Sequence, residues 1–165
     1  MKTIILVRHA KSSWDDFTVP DFDRPLNDRG KRDAPVMAAR LRQHGQMPDL
    51  LLSSPAKRAR KTARFFAETL GIDKEAIQFQ EELYLAEPEM FSKIIAGLDN
   101  KFSCVALFAH NPGITVFANM TGTARIDEMP TCALFAYTMD TDQWAKAHGA
   151  KKEFLFFEQP KDPSH

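Results

Sequence analysis

Thr3-Ile4-Ile5-Leu6-Val7-Arg8-His9-Ala10 is the stretch that decides the fold of this 165-residue chain. An apolar and β-branched run this short does not make a helix and predicts a strand buried on both faces. It ends at an arginine and a histidine. Ligands of open α/β sheets bind beyond the carboxyl ends of the strands. Arg8 and His9 therefore place a fixed positive charge beside a nucleophilic imidazole, where a ligand can reach both. The grammar repeats at two later strand ends, with Arg58 after Leu50-Leu51-Leu52-Ser53 and His110 after Val105-Ala106-Leu107-Phe108-Ala109.

Between these landmarks the chain alternates strands with helices. Residues 11–26 show no period, and so long a loop in a compact domain is usually functional. Asn27 or Asp28 then caps a helical segment. Pro35 predicts a break there and a second start at Asp33, with Val36, Met37 and Leu41 on the apolar side and Gly45 as the stop. Ser54 as N-cap and Pro55 at the first helical position open the next helix, which runs to Leu70 and buries Ala59, Thr62, Ala63, Phe66 and Leu70. A short strand near 77–80 and a helix from Pro88 follow. Asn111 as cap and Pro112 start a helix to about Met120. Strands are expected over 133–138 and 154–157, and a frayed tail over 160–165. This order predicts an α/β fold with a mainly parallel sheet covered on both faces. The carboxyl ends of its strands would then gather Arg8, His9, Arg58 and His110 along one edge, where helix N-termini also favour an anion.

Bulk properties narrow the function classes. A chain of this length suits one domain, burying roughly 70% of the surface its unfolded form exposes. Hydrophobic residues at 44% and charged ones at 27% are ordinary globular values. The 22 basic and 22 acidic side chains cancel, which argues against nucleic acid as a partner. Lys57, Arg60 and Lys61 read as a solvated helix face. Cys104 and Cys132 have no metal-ligand spacing, and no stretch approaches a membrane span or a secretory apolar core. A reduced, cytoplasmic enzyme is the expectation. Phosphoryl transfer fits the basic cluster, because it needs an in-line nucleophile and fixed positive charge on the equatorial oxygens. Neutral His9 supplies the nucleophile, Arg8 and Arg58 supply guanidinium forks, and His110, if protonated, supplies a further donor.

Four segments carry a resemblance: Arg8-His9-Ala10, Pro25-Leu26-Asn27-Asp28-Arg29-Gly30, Ser53-Ser54-Pro55-Ala56-Lys57-Arg58-Ala59-Arg60-Lys61-Thr62 and Ala109-His110-Asn111-Pro112-Gly113. In this order the chain resembles the histidine phosphatase (phosphoglycerate mutase-like) superfamily, to about residue 120. Its compact length is similar to the SixA-type phosphohistidine phosphatase branch. The resemblance implies a three-layer α/β/α sandwich, with residues 1–165 forming one histidine phosphatase domain and no separate cap domain. It also implies a covalent phosphohistidine intermediate on His9, which water hydrolyses. Arg8, Arg58 and His110 take the phosphate-pocket roles by position, and Ser12 falls where the family has a small hydroxyl contact. No metal or cofactor is implied.

The sequence departs from that pattern in three places. Ala10 stands where a glycine is usual, and Asp15 stands near a usual asparagine. The acidic residue many members carry after the third strand falls around Leu83 to Leu85, with only Glu82 and Glu87 nearby as candidate acids. An alkoxide leaves badly without a proton, and general acid catalysis is worth about 10²–10⁴-fold. An imidazole leaving from protonated phosphohistidine needs none. The expected substrate is therefore phosphohistidine on a protein domain. The alternative is a small phosphate ester, a sugar or nucleotide phosphate, with Glu82 or Glu87 as acid. A non-catalytic phosphate- or phosphoprotein-binding module is the third reading, and the intact His9 argues against it.

Overall fold

The structure, a computed structural model, describes residues 1–160; the tail expected from Pro160 lies, past that residue, outside the described part. Six strands form one sheet in the order β3-β2-β4-β1-β5-β6. They are β1 (Lys2–Arg8), β2 (Leu50–Ser53), β3 (Gln78–Phe79), β4 (Cys104–Ala109), β5 (Leu134–Met139) and β6 (Lys152–Glu158). β3, β2, β4 and β1 run parallel, and β5 and β6 add an antiparallel edge. The sheet is thus mainly parallel, as the βα alternation requires.

Side chains alternate across the pleat and divide the core in two. Ile5, Val7, Leu51, Ala106 and Phe108 pack under α1 (Asp28–Gln43) and α2 (Lys57–Leu70). Ile4, Leu6, Leu52, Val105 and Leu107 pack under α3 (Pro88–Ala96) and α4 (Gly113–Met120). Helix layers on both faces make the α/β/α sandwich. Among the described residues no helix is long and apolar enough to cross a membrane.

Four local expectations need correction. α1 is continuous through Pro35 instead of restarting at Asp33. A proline inside a helix costs about 3 kcal/mol. Here Ala34, Met37, Ala38 and Leu41 are fully buried, and that packing outweighs the lost bond. Val36 lies on the outer side of the same helix, 48% exposed. The helix start is also pinned: Asn27 accepts the Gly30 N–H at 2.9 Å, and a Cβ on Gly30 would fall 2.2 Å from the Lys11 carbonyl. That close approach accounts for a glycine at position 30.

Ser54 and Asn111 are not helix caps. α2 and α4 begin after Ala56 and Pro112, with no side-chain cap bond at either. Asn111 instead accepts from the Thr115 hydroxyl at 2.6 Å and donates to the Met129 carbonyl at 3.0 Å. Ser54 turns toward His110. Both polar side chains serve the sheet edge.

Candidate active site

Register explains why distant residues meet. Arg8 pairs with Ala109 across β1 and β4, and Ser53 pairs with Phe108 across β2 and β4. Each pairing extends one residue further, through His9 N–H to the Ala109 carbonyl (3.1 Å) and Ser54 N–H to the Phe108 carbonyl (2.9 Å). His9, Ser54 and His110 therefore leave the sheet at one level. The His9 and His110 rings lie 5.2 Å apart. Arg58 reaches them from the first turn of α2.

The nitrogens of His9 can be assigned from their partners. Nδ1 lies 2.8 Å from the Ala10 carbonyl, which can only accept, so Nδ1 carries the proton. Nε2 then holds a lone pair, and it accepts from Arg58 Nε–H at 3.3 Å. Burial lowers the His9 pKa to about 3, reinforced by the charges of Arg58, Arg8 and Arg24 and opposed by the Ala10 carbonyl. The neighbouring turn is tied to α2, because Thr62 accepts the Ala10 N–H at 2.9 Å and donates to the Arg58 carbonyl at 2.7 Å.

His110 has the opposite pattern. Its Nε2 lies 2.8 Å from Ser54 Oγ, which also accepts the Ala56 N–H at 3.2 Å. Among the described residues the one acceptor bonded to the fully buried Ser54 hydroxyl is His110 Nε2, so the hydroxyl donates its proton there. His110 then carries its own proton on Nδ1, a buried position with no partner among the described residues. Burial, and the positions of His9 and Arg58, lower its pKa to about 3. His110 is thus neutral in the free protein. It remains a donor through Nδ1.

Arg8 donates from Nη1 to the Met129 carbonyl at 2.9 Å, and its Nε is buried without a partner among the described residues. The end of β1 is held by Cys132, whose N–H bonds to the carbonyls of Arg8 and His9, both at 3.0 Å. Cys132 adopts φ 63°, and Leu85 adopts φ 51°. Left-handed backbone at non-glycine residues costs energy and clusters at functional sites, and both residues adjoin this cluster.

The long loop supplies what the sequence did not reveal. Asp21, in a short 3₁₀ turn, accepts from Arg58 twice, at its carbonyl (2.7 Å from Nη1) and its carboxylate (3.1 Å from Nη2). Arg24 pairs with the same carboxylate at 3.2 Å, and Tyr84 donates its hydroxyl proton to it at 2.5 Å. Partial burial pushes the Asp21 pKa up, but the bonds from Tyr84 and Arg58 and the Arg58 charge outweigh it and bring it to about 2. The outer edge of Arg58 is therefore committed to Asp21, and Nε is what it turns to His9. Ser12 is buried with its hydroxyl 2.6 Å from Arg24 Nη1, inside this loop network. Glu82 is exposed and accepts from Gln80, and Glu87 is exposed at the start of α3. No hydrogen bond or ion pair among the described residues joins either glutamate to the cluster. Tyr84, between them, closes it, edge-on to His110 with ring centres 5.5 Å apart.

An imidazole lone pair ringed by guanidinium groups at the edge of a parallel sheet is the equipment of an enzyme that works on an anion. The model of the histidine phosphatase superfamily (branch 1) matches residues 4–90, and the chain belongs to that family. It is a histidine-dependent phosphatase. An uncharacterised chloroplast protein of Arabidopsis thaliana is 31% identical over 88% of this chain and 70% of its own length. The crystal structure of an Agrobacterium tumefaciens protein assigned as the phosphohistidine phosphatase SixA has a TM-score of 0.79 at 28% identity, covering 97% of this chain and 99% of its own. The protein histidine phosphatase SixA complexed with tungstate shares the fold, with a TM-score of 0.81 at 20% identity over 96% of this chain and 97% of its own.

Proposed function

We propose that the enzyme removes the phosphoryl group of phosphohistidine in proteins, through a covalent phosphohistidine on His9. The observation that carries this is the Ala10 carbonyl 2.8 Å from His9 Nδ1, an obligate acceptor that leaves the lone pair on Nε2. Nε2 attacks phosphorus in line. Arg58 Nε–H shifts from that lone pair to a phosphoryl oxygen, while Arg8 Nε–H and His110 Nδ1–H, both buried and unpartnered among the described residues, take the others. The P–N bond of the substrate breaks with its electron pair on the leaving imidazole. Water then cleaves the bond to His9, returning the pair to Nε2 and leaving inorganic phosphate.

Asp21, the carboxyl bonded to Arg58, has its pKa lowered to about 2 and holds no proton for an alkoxide, and among the described residues neither Glu82 nor Glu87 is bonded into the cluster, which favours a P–N substrate over a sugar or nucleotide phosphate. The SixA likeness supports the same substrate class. A single domain over residues 1–165 without a separate cap, and a cytoplasmic location for the two free cysteines, belong to the same proposal. A brief pulse with a phosphohistidine peptide labelled on phosphorus should leave acid-labile label on His9 and none on a His9→Ala variant. Sugar phosphates hydrolysed as fast as the peptide would overturn the substrate, and absence of label would overturn the intermediate.

A further inference from the structure

Tyr84 stands where the family pattern places an acid, but its own proton is committed. The hydroxyl donates to the ionised Asp21 carboxylate. A phenol that has given its proton to a carboxylate keeps only lone pairs to offer. Its oxygen is therefore an acceptor, made stronger by the negative charge behind it. Burial and Asp21 both raise the Tyr84 pKa, so the proton stays in place.

The location fits the leaving group. In-line attack puts that group on the far side of phosphorus from His9 Nε2. Arg58 spans the distance, with Nε at His9 and Nη2 at Asp21. Asp21 sits at the open mouth, its side chain 45% exposed, whereas His9 and His110 keep only 7% and 2% of their surface. The Tyr84 ring crosses that mouth between His110 and Phe22, with ring centres 5.5 and 5.1 Å away. The Tyr84 oxygen lies at that mouth, bonded to Asp21.

We propose that Tyr84, with Asp21 behind it, is a specificity-determining acceptor for the N–H of a departing imidazole. The inference rests on the phosphohistidine reading and adds what selects that substrate. A phosphohistidine reacts with its second ring nitrogen protonated. The electron pair of the breaking P–N bond stays on the ring, and the ring leaves neutral with that N–H bonded to Tyr84 Oη. An ester departs as an oxyanion, which meets lone pairs and a carboxylate and finds no proton.

Two variants test this by the ratio of kcat/KM for a phosphohistidine peptide to kcat/KM for p-nitrophenyl phosphate. Tyr84→Phe removes the acceptor. Asp21→Asn removes the charge and lets the Tyr84 hydroxyl turn outward as a donor, while the residue 21 carbonyl still accepts from Arg58. Each should lower the ratio about tenfold or more, the scale of one charge-assisted hydrogen bond. A purely structural role in holding Arg58 would lower both rates in parallel. The proposal requires the fall in both variants, and a ratio within about threefold of the parent's in either one overturns it. A parent enzyme active on the ester and inert on the peptide overturns the substrate reading as well. Parallel losses in a parent active on both overturn only the selector.

Discussion

His9 and His110 are the same residue type, one position beyond the ends of neighbouring parallel strands, yet their free ring nitrogens carry opposite chemistry. The backbone carbonyl at His9 Nδ1 leaves a lone pair on Nε2, and the hydroxyl at His110 Nε2 leaves a proton on Nδ1. One ring can attack, and the other can only donate. Neither role comes from the imidazole itself or from its place on the sheet. Each is set by the partner on the far nitrogen: an obligate acceptor in one case, a hydroxyl short of acceptors in the other.

Exchanging the rings for amides breaks the comparison most severely. His9→Gln should abolish the acid-labile phosphoenzyme and lower turnover by more than about 10³-fold, since no nucleophile remains. His110→Gln should keep a detectable phosphoenzyme and lose about 10²-fold, the usual effect of deleting one donor to a developing oxyanion. Single-turnover rates on the phosphohistidine peptide separate the two. Equal losses, with label absent from both, would show that His110 does more than donate.

A smaller effect sharpens the same contrast through Ser54. Ser54→Ala removes the donor to His110 Nε2, so the ring no longer has to keep its proton on Nδ1. Phosphoenzyme formation should slow by about tenfold, the scale of one hydrogen bond's worth of bias between tautomers. Ser54→Thr, which keeps the hydroxyl, should restore most of the rate. Nitrogen-15 spectra should show protonated Nδ1 at His110 in the parent and a mixture in the alanine variant. An unchanged tautomer would make Ser54 a packing residue only.

How much of this is legible in the chain itself follows from what each signal encodes. Strand ends and helix starts come from local periodicity, so the sequence alone suffices to place Arg8, His9, Arg58 and His110 on one edge. The Ser54-Pro55 and Asn111-Pro112 pairs look like caps because a hydroxyl or amide before proline is a local signal. Only tertiary contacts reveal that Ser54 binds His110 and Asn111 binds Met129. Asp21 is hidden for a related reason. It lies in an aperiodic loop, and its Arg58, Arg24 and Tyr84 partners come from a helix, the loop itself and the turn after β3. The length of loop 11–26 is the one local clue. Tyr84 falls inside the stretch where the family pattern has an acid, but a phenol is no carboxylate, and its tie to Asp21 spans 63 positions of chain. Pro35 shows the converse, a strong local signal overridden by the packing of Met37 and Leu41.

The gentlest probe leaves the sequence intact and varies pH. Burial is the largest cause of the fall to about 3 at both histidines, so the contrast between them lies in tautomer, not in charge. In the ligand-free protein neither ring should titrate between about pH 8 and about 5, whereas an unfolded histidine titrates near about 6.5. The sign for stability follows: below about 6.5 the unfolded chain takes up protons that the folded rings refuse. Their contribution is whole above that pH and is lost as the pH falls from 6.5 toward about 3. Denaturant midpoints should be flat above about pH 7 and decline steadily on the acid side. Adding inorganic phosphate should move His110 first, because a bound anion rewards a second proton on a ring that already donates, while a protonated His9 would lose the lone pair that Arg58 holds. Resonances of His9 shifting ahead of those of His110 would reverse the assignment of attacker and donor.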